Sequence, residues 1–159
     1  MSCSTPQKDK DITLLEAYLD NYRIEQKKDS IFLGLENYNG ETLKIIEKHN
    51  LRTETELKEL KDVFTGENYK YFKKQLTKEN SVWGIDFSNF NNVFSINDYP
   101  DTDELKITYL SKPIYTINEE YALIQKFHKT EEDISFISSV EVFKKEKGDW
   151  KKISKISHY

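Results

Sequence analysis

Cysteine, methionine, proline and glycine are all scarce in this 159-residue chain, which has one Cys, one Met, three Pro and five Gly. A single cysteine excludes an internal disulfide framework, and no C-x-x-C pair exists to bind zinc or exchange electrons. So few glycines and prolines exclude a low-complexity chain and call for regular elements with short connections. No run of about 18 apolar residues is present, so no transmembrane helix is expected, and no apolar stretch near the start reads as a signal peptide. A large excess of one charge is also missing. The 28 acids and 24 bases leave a formal −4, mixed along most of the chain. That balance gives no general attraction to nucleic-acid phosphates or anionic membranes.

Catalytic signatures are absent too. His49, His128 and His158 share no short motif with one another or with the cysteine, whereas a zinc site needs several closely oriented ligands. H-E-x-x-H, G-x-S-x-G, the Walker loop and G-x-G-x-x-G do not occur. The sequence therefore predicts a non-enzymatic chain with no cofactor and no metal. What it does have is aromatic residues: nine Phe, ten Tyr and two Trp enlarge a core that 36% hydrophobic content would leave thin. Each aromatic buries on the order of 150–250 Å².

Helical signals dominate the first half. Thr13 and Glu16 form a T-x-x-E capping box, and Leu15, Tyr18, Leu19 and Tyr22 recur along one face. A second helix is expected over Glu41–His49, a third from Thr53, and a fourth capped by Thr65 with Tyr69, Phe72 and Leu76 buried. Residues 30–38 fit either a helix or a strand. After Asn80 the period changes to two: Trp83, Ile85 and Phe87 alternate, as do Leu105, Ile107 and Tyr109. "EYALIQKF", "ISFISSVEVF" and "WKKISKIS" complete the strand candidates. Helices first and strands afterwards predict an α+β fold, with N-terminal helices packed on a C-terminal antiparallel β-sheet. A nuclear-transport-factor-like α+β cone is the alternative, on a looser likeness of "KKEKGDWKKI". One domain over 11–159 follows a flexible tether over 1–10.

Three features are candidate sites. Cys3 opens the polar stretch "CSTPQKDKD", which reads as a lipidated cysteine and its tether; an exposed thiol is the plainer reading. Asp98, Asp101, Asp103 and Glu104, with Glu131, Glu132 and Asp133, form acid-rich loops suited to a basic protein partner. Six lysines and Trp150 crowd the closing stretch from Lys144 to Lys155. They resemble a nucleic-acid patch, but a turn at Gly148-Asp149 makes a terminal hairpin the better reading, and nucleic acid is not an expected partner. Ile153 and Ile156 stand three apart, which breaks alternation and predicts a β-bulge or bend.

Lys74-Gln75, Trp83, "SKPIY" at 111–115, "YALI" at 121–124 and "FKKEKGDWK" at 143–151 together resemble a pattern in small uncharacterised lipoproteins and secreted proteins of Bacteroidetes. The likeness covers about half of the chain. That group often carries a Gly- and Cys-containing stretch between its last two strands, where this chain has "QKFHKTEEDISFISS". The resemblance implies an α+β sheet domain and a periplasmic or outer-membrane-attached lipoprotein, with a cytoplasmic protein as the alternative; membrane contact would come only through a lipid on Cys3. The expected function is a non-catalytic, monomeric binding protein of the bacterial cell envelope, in its sharper form an immunity-type inhibitor of a protein toxin. Alternatives are a small-molecule-binding domain lined by Tyr115, Tyr121, Phe127 and Trp150, or a carboxylate-based hydrolase.

Overall fold

The structure is a computed structural model that describes residues 6–35, 42–47, 63–64, 66–77, 85–95, 107–128 and 137–158. Helix α1 (Pro6–Gln26) comes first. Residues 6–10, within the expected tether, belong to it. Proline fits the first helical turn, where its missing N–H would have no partner anyway. The Thr13–Glu16 box therefore falls inside the helix, and Thr13 Oγ1 instead donates 3.0 Å back to the carbonyl of Lys10. Lys27, at φ 51°, ends the helix in the left-handed region.

The ambiguous segment is a strand, β1 (Ile31–Leu35). Residues 42–47 are helical, as expected for the second helix. Helix α2 (Gly66–Thr77) follows, with Phe72 and Leu76 buried and Tyr69 packed beside them. Ile85 and Phe87 do not continue as a strand. Asp86 accepts from Ser88 N–H at 2.9 Å and caps a 3₁₀ turn over Phe87–Asn89. The strand is the short β2 (Val93–Ser95) that comes after it. The remaining strands are β3 (Thr108–Leu110), β4 (Ile114–Tyr115), β5 (Tyr121–His128), β6 (Ile137–Glu146) and β7 (Asp149–His158).

The seven strands make one sheet in the order β2-β1-β3-β5-β6-β7, with β4 also paired to β5. The fold is α+β. From β3 onward every pairing is antiparallel, but β1 lies between β2 and β3 and runs parallel to both, so the whole sheet is mixed. Tight β1–β3 pairing uses the absence of a side chain at Gly34. A Cβ there would come within 2.4 Å of the Tyr109 ring.

Both faces of the sheet are covered. Ala122 and Ile124 of β5 join Leu14, Leu15, Tyr18 and Leu19 of α1 in one core. Leu123 joins Phe72 and Leu76 of α2, with Ile45 and Ile46, in the other. This matches the alternation read in "YALI", and it explains why Thr108, Tyr109 and Leu110 are all buried. The final hairpin turns on Lys147-Gly148, one residue before the expected pair; their φ angles are 50° and 90°, and Glu146 pairs with Asp149. Two positive φ values suit the right-handed twist of the flanking strands. The predicted bulge is present. Phe143 faces Lys152 while Val142 faces Ser154, so Ile153 is the extra residue.

Candidate functional site

Two groups of charge flank β6 and β7. The first lies beneath α1. Glu141 of β6 is only 2% exposed and Lys126 of β5 only 5%. Glu141 Oε1 stands 3.3 Å from Lys152 Nζ and 3.9 Å from Lys126 Nζ, and Lys152 also donates to Glu25 of α1 at 2.7 Å. Two ammonium groups and two carboxylates thus meet between helix and sheet. Burial pushes the Lys126 ammonium toward neutrality, against the pull of Glu141. Burial also acts against the charge of Lys152, but the hydrogen bond to Glu25 and the two carboxylates outweigh it and raise its pKa. Lys126 Nζ lies 5.1 Å from the centroid of the Tyr22 ring, and the Tyr22 hydroxyl accepts from Thr108 Oγ1 at 3.2 Å. The Tyr18 hydroxyl is buried without a hydrogen-bond partner among the described residues. Burial, then the charge of Glu141, holds it well above the usual phenol range. Chemically this arrangement is an ionic clamp, since its carboxylates are held against lysines rather than opposed across a cleft.

The second group ties the start of α1 to the β4–β5 turn. Tyr115 OH donates to Asp11 Oδ1 at 2.5 Å, and Lys10 Nζ lies 4.1 Å above the Tyr115 ring while pairing with Glu119. Burial raises the Asp11 pKa despite the Tyr115 hydrogen bond, and burial together with the Asp11 charge raises that of Tyr115. On the other face, Gln75 of α2 donates to the Tyr115 carbonyl at 2.8 Å and accepts from its N–H at 3.0 Å. Its amide does for β4 what a neighbouring strand would do. Ser111 exchanges two 3.0 Å bonds with the backbone of Gln125, whose side chain joins Thr42 to Ser138. Gln75, Ser111, Tyr115 and Trp150, all from the residues quoted for the resemblance, are thus built into the scaffold.

The outer edge of β7 is the most accessible part of this region. Strand order puts β7 at the end of the sheet, and β6 is its one strand partner among the described residues. The strand is ten residues long. Lys151 and Lys155 are exposed, and Lys151 leans on Glu146 at 2.7 Å. Lys152 points to the α1 side, where register also places Lys155 across from Glu141. Ile153 and Ile156 pack partly buried on the opposite face. The bulge at Ile153 is what brings both isoleucines to that face.

Cys3, Asp98, Asp101, Asp103, Glu104, Glu131, Glu132 and Asp133 lie outside the described residues. The aromatic set proposed as a pocket lining is not brought together. Tyr115 and Trp150 pack with tilted rings 5.9 Å apart in the α1-side core, whereas Tyr121 packs with the α2-side core and Phe127 stands edge-on to Tyr109 at 6.1 Å. His128 pairs with Ile137 and His158 with Ser138, so β6 separates the two histidine-bearing strands. No cluster of three metal-ligating side chains occurs among the described residues, and no described helix is long and apolar enough to cross a membrane. The sequence reading missed Lys126, Glu141 and Lys152. A signal existed for Glu141: it sits between Val140 and Val142 and shares strand parity with Phe143, which points inward when both faces are covered. No family model, curated protein or solved structure matches this chain.

Proposed function

We propose that the chain is a non-catalytic protein-binding domain of the bacterial cell envelope, of the type that neutralises a toxin made by its neighbour. The observation that supports this reading is the ten-residue β7 at the end of the sheet, with β6 its one strand partner among the described residues. Exposed backbone donors and acceptors along a strand are a ready surface for another chain. The net charge of −4 and the acids at Asp98, Asp101, Asp103, Glu104, Glu131, Glu132 and Asp133 would steer a basic partner during approach. The envelope address rests on Cys3 with its polar follower and on the resemblance described above. Co-expression with the product of the adjacent gene tests the reading. A stable complex that suppresses the toxicity of that product is expected; free mixing of the two proteins, with toxicity intact, would sink it.

A further inference from the structure

The lysines on β7 raise a selectivity question. Lysines on an edge strand discourage pairing with a second copy, because like charges come face to face. The same lysines favour a strand that carries acids. On the α1 side, an added strand beside β7 would meet Lys155, which has no carboxylate within ion-pair distance among the described residues, and Lys152, held by Glu25 and Glu141. On the other side it would meet the partly buried Ile153 and Ile156, with Lys151 beyond them toward the hairpin turn. Two different chemistries thus stand on the two faces, and successive residues of a strand point to alternate faces.

We propose that the β7 edge receives an extended partner segment in which acids alternate with apolar residues, acids on the α1 side and apolar residues toward Ile153 and Ile156. The proposal rests on the protein-binding reading and specifies its partner. The bulge sets the register: Ile153 adds one residue between Lys152 and Ser154, so the apolar contacts of the segment fall at Ile153 and Ile156. On the α1 side, Lys155 beside Lys152 fixes the charge preference. A basic protein can still carry such a segment, since overall charge governs approach and local pattern governs docking.

The test uses the full chain and end-capped peptides of about eight residues, a usual strand length. One peptide alternates Glu and Val, a second alternates Lys and Val, and a third has the Glu and Val of the first in scrambled order. Fluorescence anisotropy reads binding, and amide hydrogen exchange reads its place. The Glu/Val peptide is expected to bind best and to slow exchange along β7, and its affinity should fall as salt is added. In a Lys155→Glu variant, which alters one exposed side chain on the α1 side, that affinity should drop at least about tenfold. The Lys/Val peptide should gain correspondingly. Equal binding of the scrambled peptide, protection away from β7, or no binding at millimolar peptide overturns the proposal. A dimer of the unaltered protein protected along β7 overturns it as well, in favour of a second copy. If the adjacent gene product binds the Lys155→Glu variant undiminished, the edge assignment falls while the protein-binding reading stands.

Discussion

A carboxylate buried as deeply as Glu141 survives in the core because Lys152 and Lys126 stand within 3.3 and 3.9 Å. Removing its charge strands the Lys126 ammonium, which is 5% exposed. Glu141→Gln is expected to cost roughly 3–5 kcal/mol in urea denaturation, the usual penalty for halving a buried ion pair. Replacing both partners together, Lys126→Met with Glu141→Leu, should recover most of that loss, since neither charge is then buried. Asp11 presents the opposite case. Its folded pKa is raised above 3.8 by burial, so its contribution to stability is fully present below 3.8 and lost as pH rises through the folded value. Asp11→Asn keeps an acceptor for the Tyr115 hydroxyl and carries no charge. Denaturation series at several pH values should show the unaltered protein losing stability relative to Asp11→Asn across that window, about 1.4 kcal/mol for each unit by which the pKa is raised.

At the scale of the element, the β6–β7 hairpin depends on its turn. Lys147 occupies φ 50°, a conformation unfavourable for a long side chain, ahead of Gly148 at 90°. Asparagine tolerates that region, and Asn-Gly is the preferred pair for this turn type. Lys147→Asn is expected to stabilise the protein by about 0.5–1 kcal/mol, seen as a higher midpoint of thermal unfolding. Elements were legible in the sequence where one period ran unbroken over several residues. The stripe Leu15, Tyr18, Leu19 and Tyr22 identified α1, and the three-residue gap from Ile153 to Ile156 identified the bulge. β1 was left open because "IFLGL" is five residues of nearly continuous apolar character, which suits a strand buried on both sides as well as a helix. β2 escaped notice because "VFS" is too short to show a period and takes its place from parallel pairing with β1. The ionic clamp was illegible for a different reason. Glu141 alone is marked, by its place between two valines; Glu25, Lys126 and Lys152 are ordinary charges in the sequence, and only the crossing of α1 over the sheet encloses them.

For the whole molecule, the sheet divides the interior into two cores that share strands but not side chains. Ile31 belongs to the α1-side core and Ile46 to the α2-side core, and both are buried. Ile31→Val and Ile46→Val should each cost about 0.5–1.5 kcal/mol. Because the two sites touch no common neighbour cluster, the double variant should show the sum to within about 0.5 kcal/mol, measured by equilibrium denaturation. A shortfall or excess beyond that range would mean that the sheet transmits strain from one layer to the other.

The bond from Lys152 to Glu25 joins positions 127 residues apart in the chain. At a ribosome adding about 5–20 residues per second, roughly 6–25 s pass between the synthesis of the two. For most of that interval the apolar stripe of α1 has been made while Phe143 and Trp150, part of the core it packs against, have not. The nascent chain must therefore carry an amphipathic helix in search of a surface until its last hairpin appears. For this fold, the interval before that hairpin is complete is when a chaperone, or a membrane, would find most to hold.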